Sequence, residues 1–112
     1  MIRAEMKVIA SESRVDEILR TLKWLMGQLE AEPGLEEVDL YRSVVQETKL
    51  VLVQRWRSRE DLVRYMRSEE FVRLLEILDI SEEPPELRFE TVSERRGLEF
   101  VEEVRNEESV NR

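Results

Sequence analysis

The sequence predicts an α+β domain, an antiparallel four-stranded sheet with two helices on one side, in the order β-α-β-β-α-β. Three observations carry this. Ile2, Ala4, Met6 and Val8 alternate with Arg3, Glu5 and Lys7, the period of a half-buried strand. Val15, Ile18, Leu19, Leu22, Leu25, Met26 and Leu29 keep helical spacing without a gap. Between Lys49 and Arg57, the run Leu50 to Val53 sends apolar side chains to both faces of a strand. Both faces then need cover. A chain of 112 residues supplies helices for one of them, so the other is expected to meet a second copy of the protein.

Each element follows from local signals. Ser13, three residues before Asp16, offers a capping box to the first helix. Glu32-Pro33-Gly34 ends that helix, because proline restricts its predecessor and glycine permits a positive φ. A second strand is expected from Glu37 to Ser43, with Val38 and Leu40 facing opposite Asp39 and Tyr41. The polar turn Gln46-Glu47-Thr48 makes it a hairpin with the third strand. Ser58 caps a helix through Ser58-Arg59-Glu60-Asp61, which buries Leu62, Tyr65 and Met66. Ser68 restarts the register for a piece that buries Phe71, Leu74, Leu75 and Leu78, so a bend is expected between two short helices. Pro84-Pro85 forbids helix and introduces a fourth strand, Glu86 to Val92, with Leu87, Phe89 and Thr91 on one face. The domain therefore spans residues 1–93. Residues 94–112 form a short amphipathic helix, opened by Gly97 and carrying Leu98, Val101 and Val104 on one side, and a frayed tail from Asn106 to Arg112.

Composition narrows the function. The chain is 39% charged with a net charge of -8, which argues against nucleic acid as a partner because phosphate binding needs a clustered positive footprint. The surplus charge is expected in helical ion pairs at i,i+4, namely Asp16 with Arg20, Glu60 with Arg64 and Glu69 with Arg73. There is no cysteine and no histidine, which removes thiolate and imidazole metal sites and histidine-based nucleophilic triads. No metal or cofactor is expected. The charged start Met-Ile-Arg-Ala-Glu-Met-Lys does not read as a secretion signal, and no stretch is long and apolar enough to enter a membrane, so a cytoplasmic location is expected.

Glu32-Pro33-Gly34, Trp56-x-Ser58 followed by Leu62, and Ser68-x-x-Phe71 occur in this order on the predicted elements. In them the chain resembles the antibiotic-biosynthesis-monooxygenase-like domains of the dimeric α+β barrel superfamily, over roughly residues 2 to 92. The resemblance implies a ferredoxin-like fold, a homodimer with two sheets face to face, and a pocket between each sheet and its helices. Some such proteins oxidise quinols or polycyclic anthrones with dioxygen and no metal or flavin; others degrade haem. Haem-degrading relatives use an Asn on the first strand and a later Trp and His. Here Asn occurs only at 106 and 111, histidine is absent, and Tyr65 stands where the Trp would be. Haem degradation is not expected.

Cofactor-free oxygenation needs an apolar cavity, a group to stabilise a substrate phenolate, and exclusion of water. Tyr65, Met66, Phe71 and Leu74 are the expected pocket lining. Tyr65, Trp56 and Arg55 are the candidate catalytic residues, with Arg42 or Tyr41 as further phenolate stabilisers. Each has a plainer reading, Trp56 and Tyr65 as core residues and Tyr41 and Arg42 as structural or interfacial ones. Val51, Val53, the off-stripe Trp24, Leu98 and Val101 are expected at the dimer interface. Two functions follow: a small oxygenase for an electron-rich aromatic or quinol-like molecule, or a non-catalytic dimeric module that binds a small molecule or another partner.

Overall fold

The computed structural model describes residues 1–110, with side chains described to Glu107. Its elements are β1 (Ile2–Ile9), α1 (Val15–Leu29), β2 (Leu35–Arg42), β3 (Lys49–Trp56), α2 (Arg59–Met66), α3 (Glu69–Asp79), β4 (Glu86–Thr91) and α4 (Leu98–Val110). The four strands form one antiparallel sheet in the order β2-β3-β1-β4. This is the predicted β-α-β-β-α-β arrangement, with its second helix split in two at Ser68.

Strand parity sorts the sheet into two faces. Across β1 and β3, Ile2 sits opposite Trp56, Ala4 opposite Gln54, Met6 opposite Leu52 and Val8 opposite Leu50. All of these lie on the helix side. They meet Val15, Ile18, Leu22, Leu25 and Leu29 of α1, Leu62 and Tyr65 of α2, and Phe71, Leu74, Ile77 and Leu78 of α3 in one core. The other face carries Arg3, Glu5, Lys7, Val51, Val53, Arg55, Asp39 and Tyr41. Although it lies on this open face, Val53 is only 6% exposed, because Glu5 and Asp39 flank it directly on the neighbouring strands. One of the two apolar side chains that β3 sends to the open face is thus already covered within a single chain.

The serine caps of the second helical region form as expected. Ser58 accepts the Asp61 backbone N–H at 3.3 Å, and Ser68 accepts that of Phe71 at 3.4 Å. The Ser13 box does not form. Arg14 occupies the cap position of α1 without a side-chain hydrogen bond, and the Ser13 hydroxyl pairs with that of Ser11 instead. The expected i,i+4 ion pairs are also absent among the described residues. Arg64 turns to Asp61 at 3.0 Å, and Arg73 lies over the Trp24 ring, 4.9 Å from its centroid. Buried carboxylates and aromatic faces outcompete solvated glutamates for arginine. Met66 and Leu75 are exposed rather than buried, and Ile77 takes the core position beside Leu74 and Leu78.

The fourth strand and the carboxyl-terminal segment depart furthest from expectation. Every residue of β4 is exposed, including Leu87 and Phe89 on the helix face, because α1, α2 and α3 pack over β2, β3 and one another. From Leu98 the chain is helical through Val110, so the helix runs into the tail segment expected from Asn106; Asn111 and Arg112 lie outside the described residues. Helix α4 keeps Leu98, Phe100, Val101 and Val104 in solvent. It lengthens the molecule to 56 × 35 × 22 Å with a radius of gyration of 17.4 Å, against about 13 Å for a compact chain of this length. Among the described residues no helix is long and apolar enough to cross a membrane.

Candidate functional site

The helix side of β3 carries polar chemistry into the core. Gln54 follows the run Leu50 to Val53 and shares parity with Leu52 and Trp56, so it is driven under the helices and is 0% exposed. Its Oε1 accepts the Trp56 indole N–H at 2.9 Å. Its Nε2 has no hydrogen bond of good geometry among the described residues, although the amide lies close enough to the Tyr65 hydroxyl to act on its ionisation. Trp56 stacks on Tyr65 with ring centroids 5.1 Å apart and planes 23° from parallel, and Tyr65 meets Phe71 edge-on at 5.3 Å. These are the preferred offset and edge geometries of aromatic pairs. A buried amide donor without a partner costs about 1–3 kcal/mol, so this sheet position holds stored hydrogen-bonding capacity.

Burial pushes the Tyr65 phenol up to about 12, with the Gln54 amide tempering the rise and Glu32 and Glu70 adding to it. The hydroxyl is therefore a proton donor at neutral pH and no general base. A stability prediction follows from the sign. Between the unfolded value near 10 and about 12, the folded chain keeps a proton that the unfolded chain has released. Stability from this group is complete below about pH 10, falls as pH rises through that window, and levels off above it, a total loss of about 2–3 kcal/mol. Urea unfolding from about pH 9 to about pH 11.5 should show this slope in the wild type and its loss in Tyr65→Phe. Equal slopes would reject it.

Next to this cluster a tight joint fixes where β2, β3 and α2 meet. Gly34 has φ 84°, and its carbonyl accepts the Arg57 backbone N–H at 2.8 Å. A Cβ on Gly34 would lie 2.2 Å from Asp61 Cγ. The buried Asp61 carboxylate accepts the Ser58 hydroxyl at 2.8 Å and pairs with Arg57 at 3.1 Å and Arg64 at 3.0 Å. The Ser58 hydroxyl leads in holding this carboxyl below the usual range, and the arginines help against the opposing effect of burial. The residues of the Pro-Gly and Trp-x-Ser motifs thus meet at one buried anion, which positions Trp56 at the end of β3 and Tyr65 on the following helix.

Beside the cluster, between α2 and β4, runs a groove of about 300 Å³ lined by Ile2, Leu62, Val63, Met66, Phe89 and Thr91, with Arg59 and Glu90 at its rim. Ala4 stands in register between Phe89 and Gln54. The smallest side chain of that row therefore separates the groove from the buried amide. Among the described residues no three metal-capable side chains converge.

The structure brings Trp56 and Tyr65 together and leaves Arg55 apart. Arg55 sits on the open face, paired with Glu37, with the sheet between it and the aromatic cluster. Arg42 shares the helix-side parity but donates to the Glu47 carbonyl at 2.7 Å in the hairpin, and Tyr41 is exposed on the open face. Tyr65, Phe71 and Leu74 are core residues, whereas Met66 lies in the groove wall. Trp24 lines a separate cleft between α1 and α3, on the opposite layer from Val51 and Val53. Gln54 was not singled out by the sequence. Its signal is a parity count from Trp56, which places it among buried positions.

The sequence profile of the antibiotic biosynthesis monooxygenase family matches residues 1–76. The chain belongs to that family. The match ends within α3, so β4 and α4 lie beyond it. Solved structures extend the likeness of this antibiotic biosynthesis monooxygenase family member. The chain is similar to the structure of an antibiotic biosynthesis monooxygenase with a TM-score of 0.75 and 18% identity, over 84% of this chain and 100% of that one. A protein of Mycobacterium tuberculosis superposes with a TM-score of 0.76 and 18% identity, over 86% of this chain and 98% of that one. For a protein of Deinococcus radiodurans the TM-score is 0.80 at 10% identity, over 87% of this chain and 97% of that one. At these identities the structural likeness establishes the fold alone. A search of curated proteins finds no match.

Proposed function

We propose that this chain is a cofactor-independent monooxygenase acting on an electron-rich aromatic or quinol-like small molecule. The observation that carries the reading is the unpaired Gln54 amide, buried against Trp56 and Tyr65 one small residue away from the groove. Family membership supplies the reaction class. An aromatic substrate lying along Ile2, Phe89 and Leu62 would reach two hydrogen-bond donors, the Gln54 Nε2 and the Tyr65 hydroxyl, only once Ala4 and the ring cluster give way. Both stabilise a phenolate over a phenol, which lowers the substrate pKa and releases its proton to solvent. The electron-rich anion can then pass an electron to triplet dioxygen. Collapse of the radical pair gives a peroxide at carbon, and loss of water leaves a carbonyl. Overall a CH2 carbon and O2 become C=O and H2O; the substrate supplies every electron, so no external reductant is consumed.

In the same reading the chain works as a homodimer, with Val51 and its neighbours on the open face at the centre of the contact and charged residues at the rim. Its sparse apolar area fits an interface closer to ordinary protein surface than to a core. The domain comprises residues 1–93, with α4 as an appendage.

A second reading, a non-catalytic dimeric module that binds a small molecule or another partner, is favoured by one observation. Trp56, Tyr65 and Phe71 fill the interior at the cluster, so a ligand confined to the outer groove would not reach Gln54. Oxygen consumption with a panel of quinols and hydroxylated polycyclic aromatics separates the two. Wild type should accelerate uptake, and Tyr65→Phe should lower kcat by about 10- to 100-fold with fold retained. No enzyme-dependent uptake with any substrate would leave the binding module.

A further inference from the structure

We propose that α4 is an exchanged arm, with its stripe of Leu98, Val101 and Val104 seated in the α2/β4 groove of a second copy of this chain. Exposure marks both halves of the contact. Leu98 is 72% and Val101 50% exposed on the arm, and Phe89 is 43% and Met66 39% exposed in the groove. Unpartnered apolar surfaces of this kind mark association sites. Their dimensions agree, since the groove follows α2 from Arg59 to Met66, about 10 Å, and Leu98 to Val104 spans about 9 Å at the helical rise.

Charge selects the pairing. The described part of α4 carries Glu99, Glu102, Glu103 and Glu107 against Arg105. The groove-side helix and its cap carry Arg59, Arg64 and Arg67 against Glu60 and Asp61, with Arg59 and the Arg88-paired Glu90 at the groove itself. Among the described residues Arg59 and Arg67 on one side, and Glu102 and Glu107 on the other, take part in no ion pair, while Arg64 and Glu103 are committed to Asp61 and Arg96. The arm is net acidic and the arginines left over on the groove side, Arg59 and Arg67, outnumber the one uncommitted acid there among the described residues, Glu60, so the two surfaces are complementary in charge.

The chain leaves little freedom for the arm to enter its own groove. Val92 is held to β1 by its N–H to the Met1 carbonyl at 2.8 Å. Arg96 then bridges Glu94 on one side and Glu99 and Glu103 on the other and lies over the Phe100 ring. The Gly97 N–H also donates to Glu99 at 2.8 Å. Residues 94 to 103 are therefore linked by exposed ion pairs, which disfavour a tight return of the arm onto its own chain. A second copy needs no such return. The exchange also contributes residues to the groove, because the arm of one copy covers the groove wall of Phe89 and Met66 in the other.

The native chain has no cysteine, so single engineered thiols report the contact directly. Full-length Phe89→Cys and Val101→Cys, carried on tags of different mass and mixed under mild oxidation, should give chiefly the mixed disulfide dimer. The Val101→Glu change should lower its yield at least tenfold when placed in the Phe89→Cys chain, whose own arm must then seat a charge. Predominant same-variant dimers, no cross-link, or a double variant that closes within one chain would each overturn the exchange. The readout requires no turnover, so an absence of oxygen uptake refutes the proposed activity and leaves the arm exchange to its own result.

Discussion

Trp56→Ala should lower the unfolding free energy by about 4–6 kcal/mol, enough to leave a domain of ordinary stability close to its folding threshold. Trp56 is 0% exposed at the end of β3 and stacks on Tyr65. Removing a buried aromatic of this size costs about 3–5 kcal/mol in lost transfer energy and cavity. The same change takes the donor away from Gln54 Oε1, so both polar ends of a buried amide lack partners, which adds about 1–3 kcal/mol before the neighbours relax. Trp56→Phe separates the two contributions, because it keeps an aromatic ring against Tyr65 and loses the indole donor; its cost should fall below half that of alanine. Urea unfolding monitored by far-UV circular dichroism measures both. A loss under about 1 kcal/mol in Trp56→Ala would show that the cluster does not hold the sheet to α2.

Gly34→Ala should cost about 2–4 kcal/mol, more than an added methyl in a turn usually does. Part is backbone strain, since φ is 84° there and an L side chain disfavours that region. The larger part is displacement, because the new Cβ would fall 2.2 to 2.5 Å from the Asp61 side chain, its carboxylate included. That carboxylate cannot withdraw without breaking its bonds to Ser58, Arg57 and Arg64, and a buried charge deprived of its partners is costly. Gly34→Ala combined with Asp61→Ser, which clears the space, should recover some of the loss. If the two changes were additive, the clash would not be with Asp61.

How far the fold could be read in advance depended on whether a signal was local. Ser58 and Ser68 cap their helices because each has a backbone N–H three residues ahead, and their other partners, the Asp61 carboxylate and the Tyr65 carbonyl, take the hydroxyl proton and leave the oxygen free to accept. Ser13 carries the same pattern but has Ser11 beside it, and the competing hydroxyl moves the helix start to Arg14. The alternation in β4 gave the shared face of Leu87, Phe89 and Thr91. Its exposure depends on how far the helices reach across the sheet, a tertiary property that alternation does not encode. The aromatic part of the candidate site was legible as apolar positions at Trp56 and Tyr65. Arg55 was an unresolved candidate because its face was not assigned, and one step of strand parity from Trp56 sends it to the other side. Gln54 was missed for the complementary reason: polarity suggests solvent, while parity buries it.

The edge position of β4 has a consequence for colloidal behaviour. Its outward backbone is open to addition of another strand, the usual route to fibrous assembly. The non-apolar face of this strand reads Glu86, Arg88, Glu90. Were two molecules to join antiparallel about Arg88, arginine would face arginine and Glu86 would face Glu90; in-register parallel joining repeats every like charge as well. Either geometry sets repelling groups directly opposite one another, so ribbon growth through this edge is disfavoured even though the strand's own backbone would permit it.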